Sequence, residues 1–377
     1  MSELAGHLVI DADAHMIETP EMWEAYIEPA YRGLTPRLSY DDKGRMGVLI
    51  GDTLVGRLGS ELAGAPPQDP DIPLDEMRSM AGMGVRPGGY DAKARLADMD
   101  SEGVDKAVLF PTMAFYGCES PDLDLEKAIC RAYNNGLGDH CAEAPDRLYG
   151  VAMLPLRDVD ASIAELERCT QAFGFRGAFF RPNPYGGRLI QSVAYDRLWD
   201  CCQSLGVAVG VHEGIADTLP TLGRDRAENV AILHLFGHPF EQMVACASVI
   251  MTGVLERFPR LNFAFLESGC EWAPYWIDRM DSHFEHWRRL LPAMRMKPSE
   301  YFQRQCCVAC DPDESFVTSV AKDIGDDNLL WASDYPHADG PFPGAVEMTL
   351  ESMKAMPVSS REKIMAANPA RLFRLDT

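Results

Sequence analysis

Leu8-Val9-Ile10-Asp11-Ala12-Asp13-Ala14-His15, near the start of the chain, and Leu329-Leu330-Trp331-Ala332-Ser333-Asp334-Tyr335-Pro336, near its end, are short apolar runs that each stop in acids or a histidine. A barrel of parallel strands brings the ends of its first and last strands to one face, where enzymes of that architecture keep their chemistry. Read together, the two stretches predict donors from the first strand and one carboxylate from the last converging on a metal ion. The expectation is a metal-dependent enzyme.

Working inward, further apolar runs alternate with amphipathic ones, the pattern of strand, helix, strand. Strands are predicted over residues 8–13, 106–111, 148–154, 177–181, 207–212, 261–267, 305–310 and 329–334. Helical spacing of apolar residues runs over 162–173, 192–205 and 240–258, with Leu205-Gly206 and Phe258-Pro259 as stops. Eight strands with helical crossovers predict an α/β fold, a (β/α)8 TIM barrel, with residues 1–377 as one domain. Residues 37–56 read as a small β-meander, turning at Asp41-Asp42-Lys43-Gly44 and at Gly51-Asp52. Residues 56–90 are rich in glycine and proline without periodicity, as a long lid is. Together, 37–90 form an insertion after the first strand.

Composition narrows the partners. Hydrophobic residues make up 46 % of the 377, enough for one large core, yet no apolar run approaches the ~20 residues of a membrane span. The first residues lack the basic start and apolar stretch of a secretion signal, so a cytoplasmic protein is expected. A formal net charge of −22 argues against nucleic-acid binding, because phosphates are repelled. The expected partner is a small molecule, and an anionic one then needs local positive charge. Eleven cysteines without a signal read as reduced, mostly buried thiols. Cys306-Cys307-Val308-Ala309-Cys310 lacks a second paired segment at zinc-site spacing, and Cys201-Cys202 would face apart on a helix.

Strand side chains alternate, so Asp11, Asp13 and His15 share a face if the strand persists. The competing reading is solvated loop acids and a chance histidine. His212 ends the apolar run Val207-Ala208-Val209-Gly210-Val211 and needs a polar partner there. Alone it reads as a hydrogen-bonded core residue. With Asp13, His15 and Asp334 on three other strand ends, a ligand set of two imidazoles and two carboxylates emerges. That set suits zinc, with manganese as the alternative.

The chain resembles the amidohydrolase-related family, the branch of the amidohydrolase superfamily that includes aminocarboxymuconate-semialdehyde and resorcylate decarboxylases. The resemblance covers nearly the whole chain. It rests on Asp11-Ala12-Asp13-Ala14-His15, Arg181-Pro182-Asn183-Pro184, Val211-His212-Glu213-Gly214, Gly253-Val254-Leu255-Glu256-Arg257-Phe258-Pro259, Leu266-Glu267-Ser268-Gly269, Ser333-Asp334-Tyr335-Pro336-His337 and Asn368-Pro369-Ala370-Arg371-Leu372. It implies that Asp13, His15, His212 and Asp334 are metal ligands, and that the protein is a dimer or larger. Two-metal members carry a carboxylated lysine on the fourth strand, which here reads Phe179-Phe180-Arg181, so one metal is implied. Family decarboxylases have a catalytic histidine after the sixth strand, and Glu267 takes its place. A glutamate there repels an anionic substrate where imidazole does not, which moves the expectation towards hydrolysis.

The remaining polar residues fall around this centre. His234-Leu235-Phe236-Gly237-His238-Pro239 reads as the connection before a helix starting near Phe240. His238 there either replaces the missing imidazole, lines the substrate pocket, or is structural, and His234 reads as structural. Arg181 is the best anion clamp, with an ion pair to one of the many acids as its competing role, and Asn183 assists it. His337 reaches either the substrate or a metal ligand. His283 and His286 read as a solvated helix face. The expected reaction is hydrolysis of an amide, ester, lactone or carbon–carbon bond by metal-activated water, with Asp334 taking the proton and Glu267 and His238 serving the leaving group. Non-oxidative decarboxylation of an aromatic or enol acid is the second reading. A catalytically silent barrel acting as a binding protein is the third.

Overall fold

A computed structural model describes residues 8–40, 46–57, 86–120, 122–214, 219–227, 230–337 and 340–376. In chain order, β1 (Ile10–Met16) comes first. The meander follows, as β2 (Pro36–Tyr40), β3 (Met46–Ile50) and β4 (Thr53–Arg57). Then come β5 (Lys106–Pro111), β6 (Leu148–Ala152), β7 (Gly177–Phe180), β8 (Ala208–Val211), β9 (Phe263–Phe265), β10 (Cys306–Cys310) and β11 (Leu329–Trp331). The meander is an antiparallel sheet in the order β2-β3-β4. The other eight strands form one parallel sheet in the order β1-β5-β6-β7-β8-β9-β10-β11, flanked by helices, which is the predicted (β/α)8 barrel.

Strands covered on both faces need apolar side chains on both, and β6 to β11 are buried along their whole length. The barrel closes through the chain just beyond β11 rather than through a ladder. Asp334 N–H donates to Asp13 O at 3.0 Å and His15 N–H to Tyr335 O at 2.7 Å. The Asp11 carboxylate adds bonds from Ser333 N at 3.0 Å and Ser333 Oγ at 2.5 Å. Asp11 therefore holds the first strand to the last segment.

Helix starts and stops follow local chemistry. Asp91, Asp122 and Asp158 accept backbone N–H bonds at N-caps, and Gly206 at φ 71° ends the helix Asp196–Leu205 as expected. Several boundaries shift by a few residues, and the largest departure is in the third predicted helix, which also ends at Met251 and leaves Val254–Arg257 as a separate turn. The helix predicted from residue 240 begins ten residues earlier, as Val230–Met251, and His234 and His238 sit inside it with Pro239. A proline forfeits one hydrogen bond, to the carbonyl four residues back, and does not by itself end a helix whose flanking turns are strongly apolar. Here Leu233 packs against Phe236 and Ala227 to anchor those turns.

All eleven cysteines are free thiols, and all but Cys201 are buried, which supports the structural reading. Among the described residues no helix is long and apolar enough to cross a membrane. Residues 58–85, most of the predicted lid, lie outside the described residues.

Candidate metal centre and active site

Six of the candidate residues stand at the same ends of the barrel strands. Asp13 and His15 lie on β1, Arg181 and His212 directly follow β7 and β8, Glu267 comes two residues after β9, and Asp334 three after β11. Glu267 (φ 48°) and Asp334 (φ 56°) adopt the left-handed backbone region that non-glycine residues avoid. Such conformations persist where the surroundings over-determine them, commonly at functional sites. Around Glu267 the surroundings include Gln242, a fully buried residue of the helix Val230–Met251. Its Nε2 donates to Val211 O at 2.8 Å and Leu266 O at 3.0 Å, the carbonyls just ahead of His212 and Glu267.

Asp11 does not join Asp13 and His15. The pairing of β1 with β5 shifts register between Asp11 and Ala14, which breaks the simple alternation. Asp11 instead lines a small cavity with Arg95, Ser333 and Tyr335, and burial pushes its pKa up to about 7.

Two histidines are oriented alike. His15 Nδ1 lies 3.0 Å from Pro111 O and His212 Nδ1 lies 2.7 Å from Glu213 O, so each ring donates its Nδ1–H to a carbonyl. That assignment leaves both Nε2 atoms as lone pairs, and they face each other at 3.1 Å. Asp13 brings one oxygen within 3.5 Å of His15 Nε2 and the other within 3.4 Å of His212 Nε2. Asp334 Oδ1 is 3.1 Å from His15 Nε2. Asp13 is 1 % exposed, and neither of its oxygens accepts a hydrogen bond.

Facing lone pairs beside buried carboxylates require a positive centre. In the protein alone that centre is a proton. Burial, and then His337, push the His15 pKa far down. At His212 burial also opposes charge, but Asp13 and Glu267 outweigh it and hold the pKa well above the usual range. A divalent cation satisfies the same donors more completely, since neutral imidazole nitrogens and carboxylate oxygens are its ordinary ligands. Asp13, His15 and His212 offer atoms within 4.8 Å of one another, as do His15, Asp334 and His337.

The neighbours support this core. His337 Nδ1 is 2.7 Å from Asp334 Oδ1, its Nε2 is 3.1 Å from Thr112 Oγ1, and its ring stacks on His15. It thus engages Asp334 directly. Glu267 Oε2 is 2.9 Å from His212 Nε2. Burial raises the Glu267 pKa, but His212 and His238 overcome it and hold the carboxyl well below the usual range. His238 sits inside a helix yet reaches the site: its Nδ1 donates to Glu267 O at 2.8 Å, and its buried Nε2 has no hydrogen-bond partner. Burial and then His234 lower its pKa to about 4. His234 is half-buried beside it, with ring centroids 4.2 Å apart.

Arg181 takes up the ion pair foreseen as its competing role. Its Nη2 pairs with Glu119 at 2.6 Å, while Nε and Nη1 are buried without hydrogen bonds. Asn183 is buried nearby with both amide atoms unbonded. His283 and His286 are exposed, as expected. Two acids were not anticipated as part of the site. Glu213 is fully buried, and burial and then Glu241 raise its pKa well above the carboxylate range. Asp311 is raised likewise, by burial and then by Glu314 and Asp334. Both follow an apolar strand end, the signal that singled out His212.

The amidohydrolase family model matches residues 10–375. The 2-amino-3-carboxymuconate-6-semialdehyde decarboxylase of Dictyostelium discoideum is 27 % identical over 292 residues, covering 76 % of this chain and 77 % of that protein. A gamma-resorcylate decarboxylase from a Rhizobium species is 27 % identical over 307 residues, covering 75 % of this chain and 86 % of that protein. The solved structure of an amidohydrolase from Mycobacterium avium subsp. paratuberculosis superposes with a TM-score of 0.76 at 21 % identity, covering 98 % of this chain and 99 % of that one.

Proposed function

The chain belongs to the amidohydrolase family, and from that premise we propose that it is a metal-dependent, non-oxidative decarboxylase of a small aromatic or enol acid. The observation that carries the metal is the pair of facing Nε2 lone pairs at 3.1 Å, ringed by Asp13 and Asp334. The choice of decarboxylation over the hydrolysis expected from Glu267 has two supports. The decarboxylases named above are related over three quarters of this chain. Moreover, Glu267 is not a bare charge facing the substrate: its carboxylate pairs with His212 at 2.9 Å.

Asp13, His15, His212 and Asp334 would hold one divalent cation, zinc or manganese. Bound there, the cation supplies positive charge for the substrate's carboxylate and adjacent oxygen. His337 orients Asp334, held on its far side by Thr112. Arg181 offers Nε and Nη1 to substrate oxygens while Glu119 fixes the guanidinium, and Asn183 stands beside it. In the reaction the bond to the carboxyl carbon breaks, its electron pair stays on the ring or enol carbon, and carbon dioxide leaves. That carbon takes one proton, which enters from solvent and is relayed by His238 Nε2, with the Glu267 carboxylate 4.0 Å from Nδ1 stabilising the imidazolium that forms. Glu267 O holds the His238 Nδ1–H and so keeps Nε2 as the transferring atom.

The test is carbon dioxide release from a panel of hydroxybenzoates and enol acids by metal-loaded protein, run beside esters, lactones and amides. Carbon dioxide without incorporation of solvent oxygen is the expected result. Turnover confined to esters, lactones or amides would replace this reading with hydrolysis.

A further inference from the structure

Buried polar atoms nearly always find partners within a folded protein. Several that do not are gathered beside this site, just beyond the ends of β7 and β8. Glu213, directly after His212, has both carboxylate oxygens buried without a donor. Asn183 lies alongside Glu213 and Glu241, yet at an orientation that leaves its Oδ1 and Nδ2 unbonded. Arg181, whose charge acts on Glu213, has Nε and Nη1 free of hydrogen bonds although its Nη2 is held by Glu119. Exposure is 1 %, 1 % and 0 % for Glu213, Asn183 and Arg181, so bulk water does not reach them. Glu241 differs, because it accepts from Leu222 N at 2.6 Å.

These atoms are of two kinds. Glu213 presents two unpartnered oxygens, Arg181 only donates, and Asn183 does both. A second carboxylate on the ligand brings no hydrogen to the Glu213 oxygens, and an ammonium would meet the Arg181 charge. A hydroxyl both gives and takes one hydrogen bond and carries no charge, which matches this mixed group.

We propose that Arg181, Asn183 and Glu213 form a recognition subsite, beside the four-donor cluster, for a hydroxyl group that the substrate carries in addition to its carboxylate. The proposal rests on the decarboxylase reading only for the identity of that carboxylate. It explains why the chain tolerates a buried carboxyl without donors: the site is arranged for a ligand rather than for the fold.

The experiment is calorimetric titration of the zinc-loaded full chain with 2-hydroxybenzoate derivatives bearing a hydroxyl at position 4 or 5, each beside its methyl counterpart. At least one hydroxyl compound should bind about tenfold more tightly than its methyl partner, the value of one hydrogen bond at a desolvated site. In Glu213→Met that ratio should collapse towards unity while the melting temperature holds or rises, because an unpartnered buried carboxyl has been removed. Asn183→Leu should collapse the ratio too, and serves if Glu213→Met does not fold. Equal binding of hydroxyl and methyl compounds, a ratio unchanged in the variants, a lowered melting temperature in Glu213→Met, or no binding of any benzoate would overturn the subsite. Discrimination without carbon dioxide release would instead remove the decarboxylase reading and leave the subsite standing.

Discussion

Replacing Gln242 with methionine isolates the device that presents His212 and Glu267. The substitution keeps side-chain length and removes two donors, the bonds to Val211 O and Leu266 O. Val211 O keeps a second bond, from Leu266 N at 3.1 Å, so its loss costs about 1 kcal/mol. Losing the bond to Leu266 O costs about 2 kcal/mol. Gln242 Oε1 has no hydrogen-bond partner, and replacing the amide by an apolar thioether returns about 1 kcal/mol. The net expectation is a destabilisation of about 2 kcal/mol, read by urea unfolding of the metal-free protein. A second effect should accompany it. The strand ends carrying His212 and Glu267 loosen, so divalent-cation affinity should fall by about 10- to 100-fold, as when partners of metal ligands are lost. A variant that loses stability but binds the cation as tightly as the parent would refute the argument that Gln242 positions these residues.

Three further outcomes follow from the same packing. Glu126 is fully buried against Arg157 at 2.5 Å, and burial raises its pKa to about 7 despite that partner. Between its unfolded value of 4.5 and about 7 the native state holds a proton the unfolded chain has lost, so this residue's contribution to stability falls as pH rises through that window, by up to about 3 kcal/mol. Glu126→Gln should flatten that slope in denaturation curves at stepped pH, and an unchanged slope would count against it. At Gly150, on β6, a Cβ would lie 2.4 Å from the ring of buried Phe175. Gly150→Ala should therefore cost about 1–3 kcal/mol in urea unfolding. Removing bound metal with a chelator should lower the melting temperature, and restoring it should raise stability by about 4 kcal/mol at a thousandfold excess over Kd.

The barrel was legible because its strands are buried on both faces and so read as uninterrupted apolar runs. The ligand candidates were legible because a polar residue that ends such a run has few explanations. Asp13, His15, His212 and Asp334 were all found that way, and the structure brings them together. Asp11 escaped because side-chain alternation holds only while register does, and the shift between Asp11 and Ala14 depends on the neighbouring strand. His238 was placed in a loop because Pro239 resembles a helix start, whereas packing carries the helix through it. Glu213 and Asp311 satisfied the strand-end rule but are acids in an acidic chain, and only their burial separates them from the solvated ones.

Metal content with X-ray absorption at the metal edge tests the central claim most directly. The account predicts one divalent cation per chain, two imidazole scatterers in its coordination, and loss of the bound ion in His15→Ala and His212→Ala with the fold retained by circular dichroism. A protein that takes up no divalent cation, or variants that bind it as the parent does, would contradict it.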